Sequence, residues 1–418
     1  MTPTTDKQKQ PSLFRNAIFR TIMLSQILLQ LGIWVRNFAI LLYVMEKTNN
    51  NAYAVGLISV AQFAPIFLFS LVGGTFADRW KPKRTMVWCD LLSAISVGMV
   101  LVAITLGSWK AIFFATLISA MLSQFSQPAA LKLFKRYVAE AQLPTGMAMF
   151  QTTMAMFMVI GPIFGGFIYQ RYGIEPAIGT MGICFLLSAV VLAGLPKDEV
   201  SVGKQTTTVR QELVAGLRYV WSKPVLRLLG AVMVIAGVVS GVLQPLGVFL
   251  VVERLGLPKE YLQWLLTTQG IAMLVGGGVM MGLAKKIAPP KMMAMGILAS
   301  SVSALGMGLS ASLGLTLAMQ FLNGLFFPCI HIGINTMILS NSEQSFVGRV
   351  NGVLTPLFMG MMVIMMSLAG WLKDMVGIVT IYETAGSLFL LAIIVLAPLL
   401  KGKAMVVNSD ARKARVAK

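Results

Sequence analysis

This 418-residue chain is poor in the side chains that do chemistry. It carries three cysteines, one histidine and 15 Asp and Glu against 34 Lys and Arg, and charged residues make up 12% of it. Cys89, Cys184 and Cys329 lie far apart, each inside an apolar stretch, so neither a disulfide framework nor a zinc site is suggested. The one histidine, His331, has no nucleophile or base at a spacing that would support covalent catalysis. The run Gly276, Gly277, Gly278 is not followed by Lys and Ser or Thr as a phosphate loop requires. An enzyme is therefore not expected, nor a metal or cofactor, nor an ATP site. Work done by this chain must draw on an ion gradient.

What fills the chain is apolar: 57% of its residues are hydrophobic, which makes lipid its main solvent. About 20 helical residues cross a hydrocarbon core of ~30 Å, and roughly a dozen stretches have that length. The expected spans are 19–43, 54–76, 86–106, 111–133, 147–168 and 174–195, then 225–252, 262–283, 292–310, 313–339, 347–372 and 378–400. The predicted fold class is an all-α polytopic membrane protein of twelve transmembrane helices in two six-helix bundles. Residues 1–14 form a tail, 15–196 the first bundle, 197–223 a linker, 224–400 the second bundle and 401–418 a basic tail. The first apolar run is too long for a cleavable signal and reads as an anchor that stays. The break near Ser310, Ser312 and Gly314 is the least marked.

A net charge of +19 would point to nucleic acid in a soluble protein, but here the basic residues alternate from loop to loop. One side receives Lys7, Arg20, Arg79 to Arg84, Lys132 to Arg136, the 197–227 region, Lys285, Lys286, Lys291, Arg349 and the tail. The other holds Lys47, Lys110, Arg171, Arg254, Lys259 and Lys373. The positive-inside rule puts both termini in the cytoplasm of a plasma-membrane protein, with the excess charge against anionic headgroups and no nucleic-acid partner. In the linker, Leu213, Leu217 and Val220 recur at helical spacing beside Arg210 and Arg218, as in an amphipathic helix lying on the inner membrane surface.

The two halves echo each other. Gly166, Phe167, Ile168 and Gly173 correspond to Gly370, Trp371, Leu372 and Gly377, an offset close to half the chain. Two repeated bundles with a site between them at mid-membrane is a common plan of secondary transporters. The segment GTFADRWKPKR, Gly74 to Arg84, resembles the signature between helices two and three of the major facilitator superfamily, and GPIFGG, Gly161 to Gly166, resembles the fifth-helix signature of its antiporters. The stretches around Pro128, before the seventh helix and at GRVNGVLTPLFMG are similar to the branch of macrolide and enterobactin-type exporters, a bacterial group.

That resemblance implies the major facilitator fold, export of amphipathic small molecules such as drugs or siderophores, and proton antiport by a monomer. An importer, a symporter or a lipid flippase of the same fold remains the alternative. It also implies that Gly74, Asp78, Arg79, Lys83 and Arg84 form an inner latch, and that Gly161, Pro162, Gly165 and Gly166 form a tight, pliable helix contact, with the glycines at 276–278 as its possible partner.

Polar groups inside spans are expensive and mark substrate or proton paths. Arg36 beside Asn37 either faces the central cavity as an anchor or snorkels outward. Asp90 suits a local ion pair with Arg84 or, alternatively, proton carriage. Glu383 reaches either the outer interface or the cavity, and His331 near Asn335 suits either helix packing or a proton relay. Amides such as Gln124, Gln151 and Gln269 together with 29 Met and 23 Phe suit a loosely held amphipathic solute.

Overall fold

A computed structural model describes residues 16–77, 81–105, 109–138, 142–196, 209–283, 286–344 and 346–400. They are helical almost throughout: α1 Ala17–Lys47, α2 Ala52–Ala77, α3 Pro82–Thr105, α4 Trp109–Tyr137, α5 Leu143–Tyr172, α6 Ile174–Ala193, α7 Val209–Ser222, α8 Pro224–Phe249, α9 Leu262–Leu283, α10 Pro289–Leu309, α11 Leu313–Asn341 and α12 Val347–Leu400. In lipid a helix satisfies its own backbone groups, so long apolar runs have little alternative. Nine helices within the described residues are long and apolar enough to cross a membrane. Large apolar side chains such as Val190, Ile394, Ile183 and Phe114 stay exposed on the outside of the molecule, as a lipid-facing surface requires.

Local chemistry sets the helix ends. Asn16 caps α1 by accepting from the Ile18 and Phe19 amides, and its Nδ2 donates to the Tyr137 carbonyl at the end of α4. Pro224 and Pro289 start α8 and α10, where a missing amide hydrogen costs nothing. Ser312 caps α11, so the weakly marked break near Ser310 is a real boundary between α10 and α11. The expected spans 347–372 and 378–400 are joined as α12, which changes direction at Gly377, at φ 80°, a left-handed conformation suited to glycine. α8 runs into a π-helical turn at Leu250–Arg254, whose Arg254 guanidinium donates to the Leu309 and Ser310 carbonyls at the end of α10.

The first bundle is α1 to α6, with α1 packed on α5 and α6, α3 on α4 and α6, and α2 on α4. The second is α8 to α12, with α10 on α11 and α12, α9 on α11, and α8 on α12. Close helix approach in the second bundle uses glycine: a Cβ at Gly241 would run into the Met362 carbonyl, and one at Gly276 into that of Leu325. The bundles meet along α2 with α12 and α5 with α9.

The linker helix α7 departs from the expected pattern. Val220 is buried, but Leu217 is 51% exposed, on a face shared with Val214 and Trp221. The packed face is built on Gly216, which approaches the Arg349 carbonyl, and on Tyr219, stacked 4.3 Å from Phe346. The side that a purely amphipathic reading assigns to lipid is thus split between protein and surroundings.

Candidate functional site: the bundle interface and its buried charges

The end of the molecule that carries Glu46 and Lys259 is sealed across the bundles. Phe38, Leu42, Met45, Ala52 and Val55 of the first bundle join Val242, Leu246, Phe249, Leu262 and Leu265 of the second in one buried cluster. Over it lies a polar clasp. Glu46 Oε2 accepts from Lys259 Nζ at 3.1 Å and from the Tyr169 hydroxyl at 2.9 Å, while Lys259 also donates to the Leu42 carbonyl at 3.2 Å. One lysine of the second bundle thereby holds α1 and faces an α5 tyrosine. A second ion pair, Lys373 to Glu253 at 2.5 Å, ties α12 to the π-helical turn.

Below the clasp the bundles touch through small residues. Gly56 and Tyr53 of α2 meet Met366 and Gly370 of α12, and Gly360 faces the ring of Phe67. On the other flank, Thr267 of α9 donates to the Val159 carbonyl of α5 at 3.2 Å, and Gly270 abuts the Val159 backbone. These α5–α9 contacts all fall in the halves nearer Glu46. Farther along α9, Gly277, Gly278 and Gly282 face open space. Among the described residues, the cross-bundle contacts named above close the interface at the Glu46 end.

Of the motif glycines of α5, two face α1 within the first bundle and one faces the second bundle, partners the sequence did not suggest. A Cβ at Gly161 would strike Trp34, and one at Gly165 would crowd Val35 and Phe38, so α1 is the close neighbour. Gly166 sits against the Gln263 side chain of α9. The expected partnership with the glycines at 276–278 is corrected: Gly276 packs within its own bundle on α11, and Gly270 is the α9 glycine that reaches α5. Pro162 lies inside α5 and leaves one turn without its backbone bond.

Arg36 is buried, with 2% of its surface exposed, which removes the snorkelling reading. Its Nε donates to Asn37 Oδ1 at 3.0 Å and its Nη1 to Ser119 Oγ of α4 at 2.7 Å. Asp90 is equally buried, but the expected ion pair with Arg84 is absent; Arg84 is exposed. Instead Ser188 of α6 donates to Asp90 Oδ2 at 2.6 Å, and Ser25 of α1 lies 2.8 Å from Ser188 Oγ. A hydroxyl pair takes the place of the cation because α6 packs on both α3 and α1 there, inside the first bundle. His331 and Asn335 are exposed on one face of α11, His331 beside Phe327 at 4.9 Å. Glu383, half-buried, follows Tyr382, which packs on Gly308 of α10. These polar groups do not converge on a single point.

In the latch segment, Gly74 lies in α2, whereas Asp78 and Arg79 fall outside the described residues. Lys83 Nζ donates to the Leu195 carbonyl just past the end of α6, where a cation meets free carbonyls. Sequence reasoning missed Glu46, Tyr169, Lys259 and Gln263. The only signal for the first three was that they flank spans at the sparsely charged end.

The chain matches the Major Facilitator Superfamily profile over residues 22–261 and again over 246–416. It is 26% identical over 366 residues to the "Multidrug efflux pump Tap" of Mycolicibacterium fortuitum, covering 80% of this chain and 84% of that one. It is 22% identical over 360 residues to the "Uncharacterized MFS-type transporter YkuC" of Bacillus subtilis (strain 168), covering 83% of each. The crystal structure of a point mutant of the nucleoside transporter NupG superposes with a TM-score of 0.74 at 12% identity, over 91% of this chain and 99% of that one, a likeness of fold.

Proposed function

Because this chain belongs to the Major Facilitator Superfamily, a family of membrane transporters, we propose that it exports amphipathic small molecules by alternating access, driven by inward proton movement. The observation that carries this reading is the closure between the bundles at one end of their interface, a buried cross-bundle cluster under the Glu46–Lys259–Tyr169 clasp. Rocking of two bundles about a mid-membrane site needs a seal that forms at one end while the other parts. Alternate loop charges support a clasp on the outside and both termini in the cytoplasm.

Export of drug-like solutes is favoured by the relative named a multidrug efflux pump. Proton coupling requires a titratable group within the membrane whose occupancy biases the same equilibrium as substrate. Asp90 and His331 are the candidates. The loop at 74–84 serves as the inner latch, which engages when the outer seal opens. The protein works as a monomer, with lipid as its only other neighbour.

The test is transport into inverted membrane vesicles energised by respiration, using a panel of fluorescent amphipathic solutes of either charge. Accumulation of at least one solute, collapsing on addition of a protonophore, is expected. Accumulation that survives the protonophore overturns proton coupling, and uptake only into right-side-out vesicles makes the protein an importer.

A further inference from the structure

We infer that the seam between α1 and α4 at Arg36 is a binding subsite for an anionic group, a carboxylate, phosphate or sulfonate, on the transported molecule. This rests on the reading of the chain as a transporter and names the substrate class. Arg36 is ten residues before Glu46, about 15 Å along α1, which puts it near mid-membrane beneath the cross-bundle seal. Both of its hydrogen-bond acceptors, Asn37 Oδ1 and Ser119 Oγ, are neutral.

Among the described residues no carboxylate pairs with it: the ion pairs there join Lys259 to Glu46 and Lys373 to Glu253 and Asp374. Of the membrane-embedded acids, Asp90 is held by Ser188 beside Ser25, eleven residues and about 16 Å from Arg36 along α1. Glu383 is on the last arm of α12. An unneutralised guanidinium held out of water costs several kcal/mol, roughly 2.5 to 3.5 even on insertion scales, a cost that an arriving anion removes.

A second observation points the same way. Thr116, one turn before Ser119 on α4, is fully buried and its hydroxyl has no partner, which leaves a donor idle one turn from the Arg36 contact. Helix α1 also faces the second bundle. Asn37, which draws the guanidinium by its Nε, shares a stripe of α1 with Gln30 and Leu41, and Leu41 packs against the cross-bundle cluster. A planar guanidinium and a nearby hydroxyl suit a forked oxyanion. Among the described residues of α1 and α4 the one carboxylate, Glu46, is taken by Lys259, which leaves none for a cationic solute.

Two xanthene dyes of similar shape and opposite charge, carboxyfluorescein and rhodamine 6G, test this by fluorescence anisotropy on the purified full chain in phosphatidylcholine nanodiscs. Arg36→Gln is expected to lower the ratio of carboxyfluorescein to rhodamine affinity at least tenfold, Arg36→Lys to lower it less, and Thr116→Val to lower it a few-fold. A ratio unchanged within twofold in both Arg36→Gln and Thr116→Val overturns the subsite, as does wild-type protein that does not bind carboxyfluorescein. If Arg36→Gln does not fold, Thr116→Val, which keeps shape and loses only the hydroxyl, decides alone. Binding is measured without a gradient, so a failure of export in vesicles leaves this result standing and the reverse also holds.

Discussion

Glu46 does the work of two contacts, since one carboxylate oxygen accepts from Lys259 of the second bundle and from Tyr169 of α5. Its side chain is 63% exposed, so solvent screens the pair and its worth is roughly 0.2 to 1 kcal/mol. Glu46→Gln should therefore shift the equilibrium between states closed and open at the Glu46 end by up to about fivefold, not abolish it. Distances between spin labels across the Glu46 ends of the bundles measure this shift, and the charge swap Glu46→Lys with Lys259→Glu should recover only part of it, because a carboxylate at 259 cannot donate to the Leu42 carbonyl. At the other end, Asp78→Asn is expected to slow transport while substrate binding is largely retained; unchanged turnover removes the latch role. Neither the clasp nor Asp90's hydroxyl partners were legible in the sequence. Lys259 and Glu46 are 213 residues apart, and Ser188 is 98 from Asp90. A charge count finds the residues but not the folding that brings them together, and proximity along one helix wrongly favoured Arg84.

Among the elements, the spans were the most readable feature, because about 20 apolar residues have one sensible state in lipid. The ends and faces were less so. In α7 the apolar period was visible, but which apolar face meets protein depended on Gly216 and Tyr219 fitting α12. Tyr219 also receives the Glu343 amide at 3.0 Å and lies under Lys223. Tyr219→Ala loses a stacking contact of about 0.5 to 1.5 kcal/mol and a hydrogen bond, so amide exchange over residues 341–350 should quicken about tenfold or more. Gly241→Leu would drive a side chain into the Met362 carbonyl where α8 crosses α12. Overpacking of this kind costs roughly 1 to 3 kcal/mol, and thermal unfolding followed by loss of the monodisperse peak should show a clear fall in midpoint.

For the whole molecule, the proposed alternating access makes flux depend on relative motion of the two packed bundles. Val159 and Gly270 touch across α5 and α9 near the closed end. With Cys89, Cys184 and Cys329 replaced, Val159→Cys paired with Gly270→Cys should form a cross-link on oxidation that stops transport and releases it on reduction. Transport undiminished by a complete cross-link removes alternating access as the mechanism.

The sequence by itself settled that the chain is a bundle of membrane-crossing helices, because hydrophobic length and loop charge are local properties that each stretch carries alone. The motif glycines likewise announced close helix contacts, since a missing side chain has few other uses at that spacing. Tertiary structure alone decided the partners: α1 for Gly161 and Gly165, Ser188 for Asp90, Ser119 for Arg36, Lys259 for Glu46. In lipid most helix faces are equally apolar, so the hydrophobic pattern that orients a soluble helix carries little information here. Which faces meet is settled by shape and by a few polar groups that must find one another.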